Sequence, residues 1–306
     1  MSRVKPTVAD LIAGKGRRQL TDIFVLSLEE VRAVEEAGLD MMCLPDETMS
    51  REVREAAPTT FIIAALAYGV HATADEYLRM GMATYRLGAD AVYCAASLGT
   101  VARLTAEGLA VVGHIGFIPT HRTWYGGYRA TGKTAETALR VWRQARALED
   151  AGAFAAEIEL VPEPVAATIS QRSSLFLISM GSGAGCDAQY LFSMDILGTN
   201  TGHYPRHSKK YRDFQSEYER LHAERVAAYG EYRADVESGA YPAAEHKLTI
   251  DEAELAEFIE ALDANQHGAE ATGASGATAA VPWTEIARSP RLTPGAPERR
   301  PRGGHR

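Results

Sequence analysis

The stretch TADEYLRMGMATYRLGADAVYCA, residues 73–95, holds a helix signal followed at once by a strand signal. Thr73 and Glu76 have the spacing of a capping box, Gly88 is a helix terminator, and the apolar run from Ala91 to Ala95 reads as a buried strand. The same order recurs. The segment 27–38 opens on Ser27 and Glu30, closes on Gly38, and leads into MMCL at 41–44. The segment 134–152 places apolar residues at helical spacing, ends on a glycine and leads into FAAEIEL at 154–160. Further apolar runs lie at 22–26, 61–66, 109–115, 175–180 and 190–194. Strand–helix alternation implies parallel strands with right-handed crossovers. Eight strands over about 200 residues predict an α/β fold of the closed (β/α)8 TIM-barrel kind rather than an open doubly wound sheet.

Composition narrows the function classes. The chain has 306 residues, 46% of them hydrophobic, and a formal net charge of -8. An acidic balance gives no electrostatic attraction to nucleic acid or to an anionic membrane, so a small-molecule substrate is expected. Cys43, Cys94 and Cys186 are far apart and odd in number, as reduced buried thiols are. No apolar run approaches the ~18 residues of a membrane span. The opening MSRVKPTVADLIAGKG lacks the apolar core of a signal peptide, and a cytoplasmic protein is expected. Long helical segments are expected at 213–239 and at 249–262, the second capped by Thr249 and Glu252. From 264 to 306 the composition turns to Gly, Ala, Pro, Thr and Arg, which predicts a disordered tail after one folded domain at 1–263.

Within FAAEIEL, Glu157 and Glu159 stand two positions apart and so share one face of a strand. In a barrel that face is the interior, near the mouth where barrel active sites lie. Buried carboxylates need partners. GYRATGKT at 127–134 matches the phosphate-binding pattern G-x-x-x-x-G-K-[ST] letter for letter. That motif needs a strand directly before it, and IPTHRTWYG stands there instead, so it is read as a turn leading into a helix.

The run GHIGFIPTHRTWYGGYRATGKT, then AGAFAAEIELVP, then GSGAGCDAQYLFSMDILG at 181–198 resembles the ketopantoate hydroxymethyltransferase family, whose motifs appear in that order. PRHSKKYRDF (205–214), YRADVESGAYPAAEH (232–246) and the N-terminal TVADLIAGKG and EEAGLDMMCLPDE also fit, so the resemblance spans 7–246. It implies a barrel of the phosphoenolpyruvate/pyruvate type, a homo-oligomer assembled as a decamer, and an aldol-type one-carbon transfer. In that reaction 5,10-methylenetetrahydrofolate is the one-carbon donor and Mg²⁺ holds a 2-oxo acid.

By motif the general base is Glu159, and His114 is a second catalytic candidate. The first metal ligand is Asp46, beside which the family's Ser is Glu47. The family's second ligand position is Ala65. On strand four its Lys and Glu positions are Tyr93 and Ala95. Glu47, Tyr93, Glu157 and Gly183, the last in the glycine-rich loop after strand seven, are candidate substrate-binding residues. Two readings of Glu157 stay open: an ion pair with a barrel-core Arg or Lys, or an acidic pocket of Asp46, Glu47, Glu157 and Glu159 for a neutral or cationic substrate or another metal. The expectation is a divergent hydroxymethyltransferase-like enzyme that makes a C–C bond through an enolate or carbanion on a non-standard substrate in specialised biosynthesis. The alternatives are the authentic 3-methyl-2-oxobutanoate reaction of pantothenate biosynthesis, or an inactive barrel serving assembly or regulation.

Overall fold

The computed structural model describes residues 3–272. Eight parallel strands close into a barrel in sequence order: β1 (Leu20–Phe24), β2 (Met41–Pro45), β3 (Phe61–Ala65), β4 (Ala91–Tyr93), β5 (Val111–Gly116), β6 (Ala155–Glu159), β7 (Phe176–Met180) and β8 (Ala188–Phe192). Helix α1 (Val8–Gly14) precedes the barrel and sends Leu11 into the cluster that fills it, beside Met41, Phe61 and Phe176. Between strands come α2 (Leu28–Ala37), α3 (Arg51–Ala56), α4 (Ala74–Leu87), α5 (Leu98–Ala106), α6 (Arg122–Tyr125), α7 (Ala135–Asp150) and α8 (Glu163–Arg172). After β8 follow α9 (Ser193–Leu197), α10 (Phe214–Ser238) and α11 (Glu252–Thr272).

The expected caps form where the sequence placed them on α2 and α4. Ser27 and Thr73 accept the backbone N–H groups of Glu30 and Glu76, and Gly38 and Gly88 end the helices in the left-handed conformation. Strands β1 and β8 start earlier than expected, because each is the other's neighbour. Leu20 lies beside Ala188 and Phe24 beside Phe192, and this pairing closes the ring. Asp251, rather than Thr249, caps α11: its carboxylate accepts the N–H of Ala253 at 2.9 Å. Before the GYRATGKT segment β5 ends at Gly116, with no strand running into Gly127, so the phosphate-loop geometry is absent there.

The chain divides into two compact units, one up to Ala227 and one from Ala228. Helix α11 runs to Thr272, past the expected start of the tail at 264; the rest of that stretch lies outside the described residues. Among the described residues no helix is long and apolar enough to cross a membrane.

At the N-terminal face an ion pair between half-buried Lys15 and buried Asp187 ties the entry segment to the last two strands. Lys15 Nζ lies 2.6 Å from Asp187 Oδ2 and 2.8 Å from the Leu175 carbonyl, while Asp187 also accepts the N–H groups of Gly16 and Leu177. Removing one member of a buried pair strands the other. Lys15→Met is expected to cost about 3 kcal/mol, measured by urea denaturation.

Candidate active site

The strand register brings the candidate residues together at the C-terminal end of the barrel. His114 on β5 lies beside Glu157 on β6, and Gly116 lies beside Glu159. His114 is buried between the two acids. Its Nδ1 is 3.2 Å from Glu157 Oε2 and 2.8 Å from the Tyr93 hydroxyl. Its Nε2 is 2.8 Å from the Phe117 carbonyl and 3.3 Å from Glu159 Oε2. A carbonyl only accepts, so Nε2 carries a hydrogen that points at Phe117. Burial lowers the imidazole pKa, but Glu157 and Glu159 more than offset it and lift the group to about 9. His114 is therefore a cation at neutral pH. Burial, aided by the charge of Glu159, raises Glu157 against the opposing pull of His114. Burial and Glu157 push the Tyr93 phenol well above its usual range, so it stays protonated.

This answers what the paired acids face. Of the two readings left open for Glu157, a core ion pair or an acidic pocket, the contact seen is with a cation, but a histidine on the neighbouring strand rather than an Arg or Lys. Glu159 is the more open member of the pair. Its Oε2 is buried yet accepts no hydrogen bond, because the nearest N–H is directed at Phe117. Two backbone features hold it there. Gly116 has φ +84°, and a Cβ on it would stand 2.5 Å from the Glu159 carbonyl oxygen. Leu160, directly after Glu159, has φ 51°, a costly conformation for a branched residue, as the chain turns out of β6.

Deeper in the barrel, Asp22 on β1 adds an acid that the sequence reading passed over as a strand boundary. Burial, and next the charge of Glu157, raise it to about 8, and its Oδ2 has no partner. It is a neutral acid at pH 7.

Of the four carboxylates named for an acidic pocket, Glu157 and Glu159 face His114 and the other two have different surroundings. Asp46, just past β2, is buried and bonded to His71, with Oδ2 2.8 Å from Nε2, while its Oδ1 accepts the Glu47 N–H at 3.0 Å. Glu47 itself is exposed. His71 comes from the loop after β3, which has no periodicity to mark it. Ala65 and Ala95 offer no donors, and among the described residues no group of three His, Cys, Asp or Glu side chains is placed to hold a metal. The donor set does not fit Mg²⁺, which favours one or two free carboxylates within about six oxygens.

Gly183 is not open to a ligand. A Cβ there would meet Glu163 at 2.4 Å, its carbonyl accepts Ser179 Oγ and Gln189 Nε2, and the next amide, Ala184 N–H, donates to Glu163 Oε1 at 3.0 Å. Near the same rim His207, which the sequence reading did not single out, packs its ring over Gly181; burial lowers its pKa against the pull of Glu159.

The His114 cation links stability to pH. Its folded pKa of about 9 exceeds the ordinary 6.5, so the stabilisation is complete below about pH 6.5 and is lost as pH rises through about 9. The shift corresponds to about 3 kcal/mol. Glu157→Gln is expected to destabilise the protein at pH 6 and to flatten this loss, in urea denaturation at pH 6 and pH 10.

The family model described as ketopantoate hydroxymethyltransferase matches residues 27–244. The 3-methyl-2-oxobutanoate hydroxymethyltransferase of Kosmotoga olearia is 31% identical over 263 residues, 78% of this chain and 96% of that protein. That of Cenarchaeum symbiosum is 35% identical over 220 residues, 71% of this chain and 80% of that protein. Among solved structures, a 2,3-dimethylmalate lyase of the PEP mutase/isocitrate lyase superfamily covers 88% of this chain and 100% of its own at TM-score 0.47 and 14% identity. The strand order, the motif-borne Glu159 at the mouth and the matched length agree, and the chain belongs to the ketopantoate hydroxymethyltransferase family.

Proposed function

We propose that the protein transfers a hydroxymethyl group by adding a carbanion to a one-carbon electrophile, with Glu159 as the base. The observation that carries this is the buried Oε2 of Glu159, at the barrel mouth without a hydrogen-bond donor. A buried carboxylate lone pair with no donor on it is able to accept a proton. Glu159 takes the proton from carbon, the C–H pair forms the new C–C bond, and the π pair of the electrophile moves to its heteroatom, which receives the proton. With formaldehyde as the one-carbon source, one C–H and one C=O π bond are exchanged for one C–C and one O–H bond.

The Glu157–His114–Tyr93 chain holds the acid's neighbour in place. The names of the relatives favour 3-methyl-2-oxobutanoate as the carbanion source. The donor implied by the family, 5,10-methylenetetrahydrofolate, carries flat aromatic groups and an anionic glutamate tail. Trp124 on α6 and Tyr128 just after it are exposed, with Arg122 and Arg129 close by in sequence, and are a suitable aromatic and cationic set.

A second reading is favoured by Tyr93. It stands where the family has a lysine, and its hydroxyl is engaged with His114. A site without that cation suits a carbanion source lacking a carboxylate, in a specialised biosynthetic step. One assay separates the readings: 3-methyl-2-oxobutanoate with methylenetetrahydrofolate, beside the Kosmotoga olearia relative. Comparable turnover supports the first reading. A rate at least ~10³-fold lower, equivalent to ~4 kcal/mol in the barrier, supports the second. Under either, Glu159→Gln is expected to lower turnover on the accepted substrate by ~10²–10⁴-fold while leaving the circular dichroism spectrum unchanged. An unchanged rate would overturn the role of Glu159.

A feature of the second unit supports assembly. Leu255, Phe258, Ile259 and Leu262 on α11 recur at i, i+3, i+4 and i+7 and are all exposed. Such a face supports a homo-oligomer, with the decamer as the family's size. Light scattering at micromolar concentration is expected to give a mass several times that of one chain; a monomer would refute it.

A further inference from the structure

We propose that His71 takes the place of a divalent cation at this mouth, so that Asp46 serves a histidine and the site binds no metal. The chemistry this serves rests on the hydroxymethyl-transfer reading, whereas its test does not.

The argument begins with the oxygens of Asp46. The side chain is 3% exposed, and both oxygens are engaged, one by His71 Nε2 and the other by the Glu47 amide. A hard cation at Asp46 would have to displace one of them and then find further oxygens nearby. The register shows what is nearby. Pro45, the residue before Asp46, lies beside Ala65, and Ala65 lies beside Tyr93. The neighbouring strand ends therefore offer a methyl group and a phenol that is already bonded to His114. The other acids of the mouth, Glu157 and Glu159, are paired with the His114 cation. Glu47 is exposed, and among the described residues no second and third His, Cys, Asp or Glu side chain is grouped with Asp46 to hold a cation.

The histidine is held as a working group is held. The carboxylate fixes Nε2, the ring stands edge-to-face on Tyr77 at 5.0 Å, and the backbone at His71 bridges to Tyr68. Its side chain is 10% exposed, and among the described residues nothing bonds Nδ1. An imidazole oriented at one nitrogen by a buried carboxylate presents the other in a fixed direction. That nitrogen can meet a polar atom of the substrate at the point where a metal would otherwise have done so.

The test uses Mn²⁺ as the probe, read by loss of the free-ion EPR signal on the full chain without substrate. Wild type is expected to show no stoichiometric binding at millimolar Mn²⁺. His71→Glu sets a second carboxylate beside Asp46 and is expected to bind one Mn²⁺ per chain, at least tenfold more tightly. One Mn²⁺ bound by wild type and lost in Asp46→Asn would overturn the proposal, whether or not His71→Glu folds. A folded His71→Glu that binds no better than wild type would also overturn it, because His71 would then not be what excludes the ion. Loss of all transferase activity alongside metal-free wild type would sink the functional reading and leave this inference standing.

Discussion

Closure of the sheet is the constraint on which the rest depends. Once β1 lies beside β8, the interior has no edge and no room for bulk water, so each charge placed there needs a partner from another strand. The chain places three acids inside, Asp22, Glu157 and Glu159, and one histidine. Their states follow from that imbalance. The histidine takes a proton and serves two carboxylates, and the third acid, out of its reach, keeps its own proton. The protonation pattern of the site is thus a consequence of strand register. His114 meets Glu157 because β5 and β6 align those two positions.

The same constraint explains what could be read from the sequence. The eight strands were legible because a buried strand needs an unbroken apolar run, and the helices because caps and glycine stops mark their ends. Glu159 was legible through its motif, and the shared face of Glu157 and Glu159 through the period of a strand. The partner of Glu157 was not, because a lone histidine on another strand becomes a neighbour only once register is known. His71 was hidden for a related reason. It sits in a loop without periodicity, and its importance comes from Asp46, twenty-five positions earlier in the chain. Asp22 was passed over because an acid at the start of an apolar run looks like a boundary. Pairing with β8 moves that boundary back and turns Asp22 inward. Thr249 failed as a cap because Asp251, nearer the helix, offers a stronger acceptor.

If the mouth holds no metal, as proposed above, its electrostatics rest on side chains alone. A metal-centred site concentrates positive charge on an ion that substrate and protein share. Here the positive charge at the mouth is a buried imidazolium, compensated by its own carboxylates before any substrate arrives. The field a substrate meets is weaker and more local, and the orienting groups are hydrogen bonds with fixed directions. Such a site selects by shape and by matched donors and acceptors more than by charge.

The loop after β7 has a consequence for selection as well. In barrels of this kind that loop and the following helix ends commonly receive phosphate groups. In this chain the cradle is filled from within. The Glu163 carboxylate leans over Gly183 and takes the Ala184 amide that an incoming anion would need. The protein carries its own competitor for that position, tethered and always present. A phosphorylated metabolite approaching the rim would meet a negative charge where other barrels offer bare amides. An anion at this rim would have to displace the Glu163 carboxylate from the Ala184 amide before it could bind there.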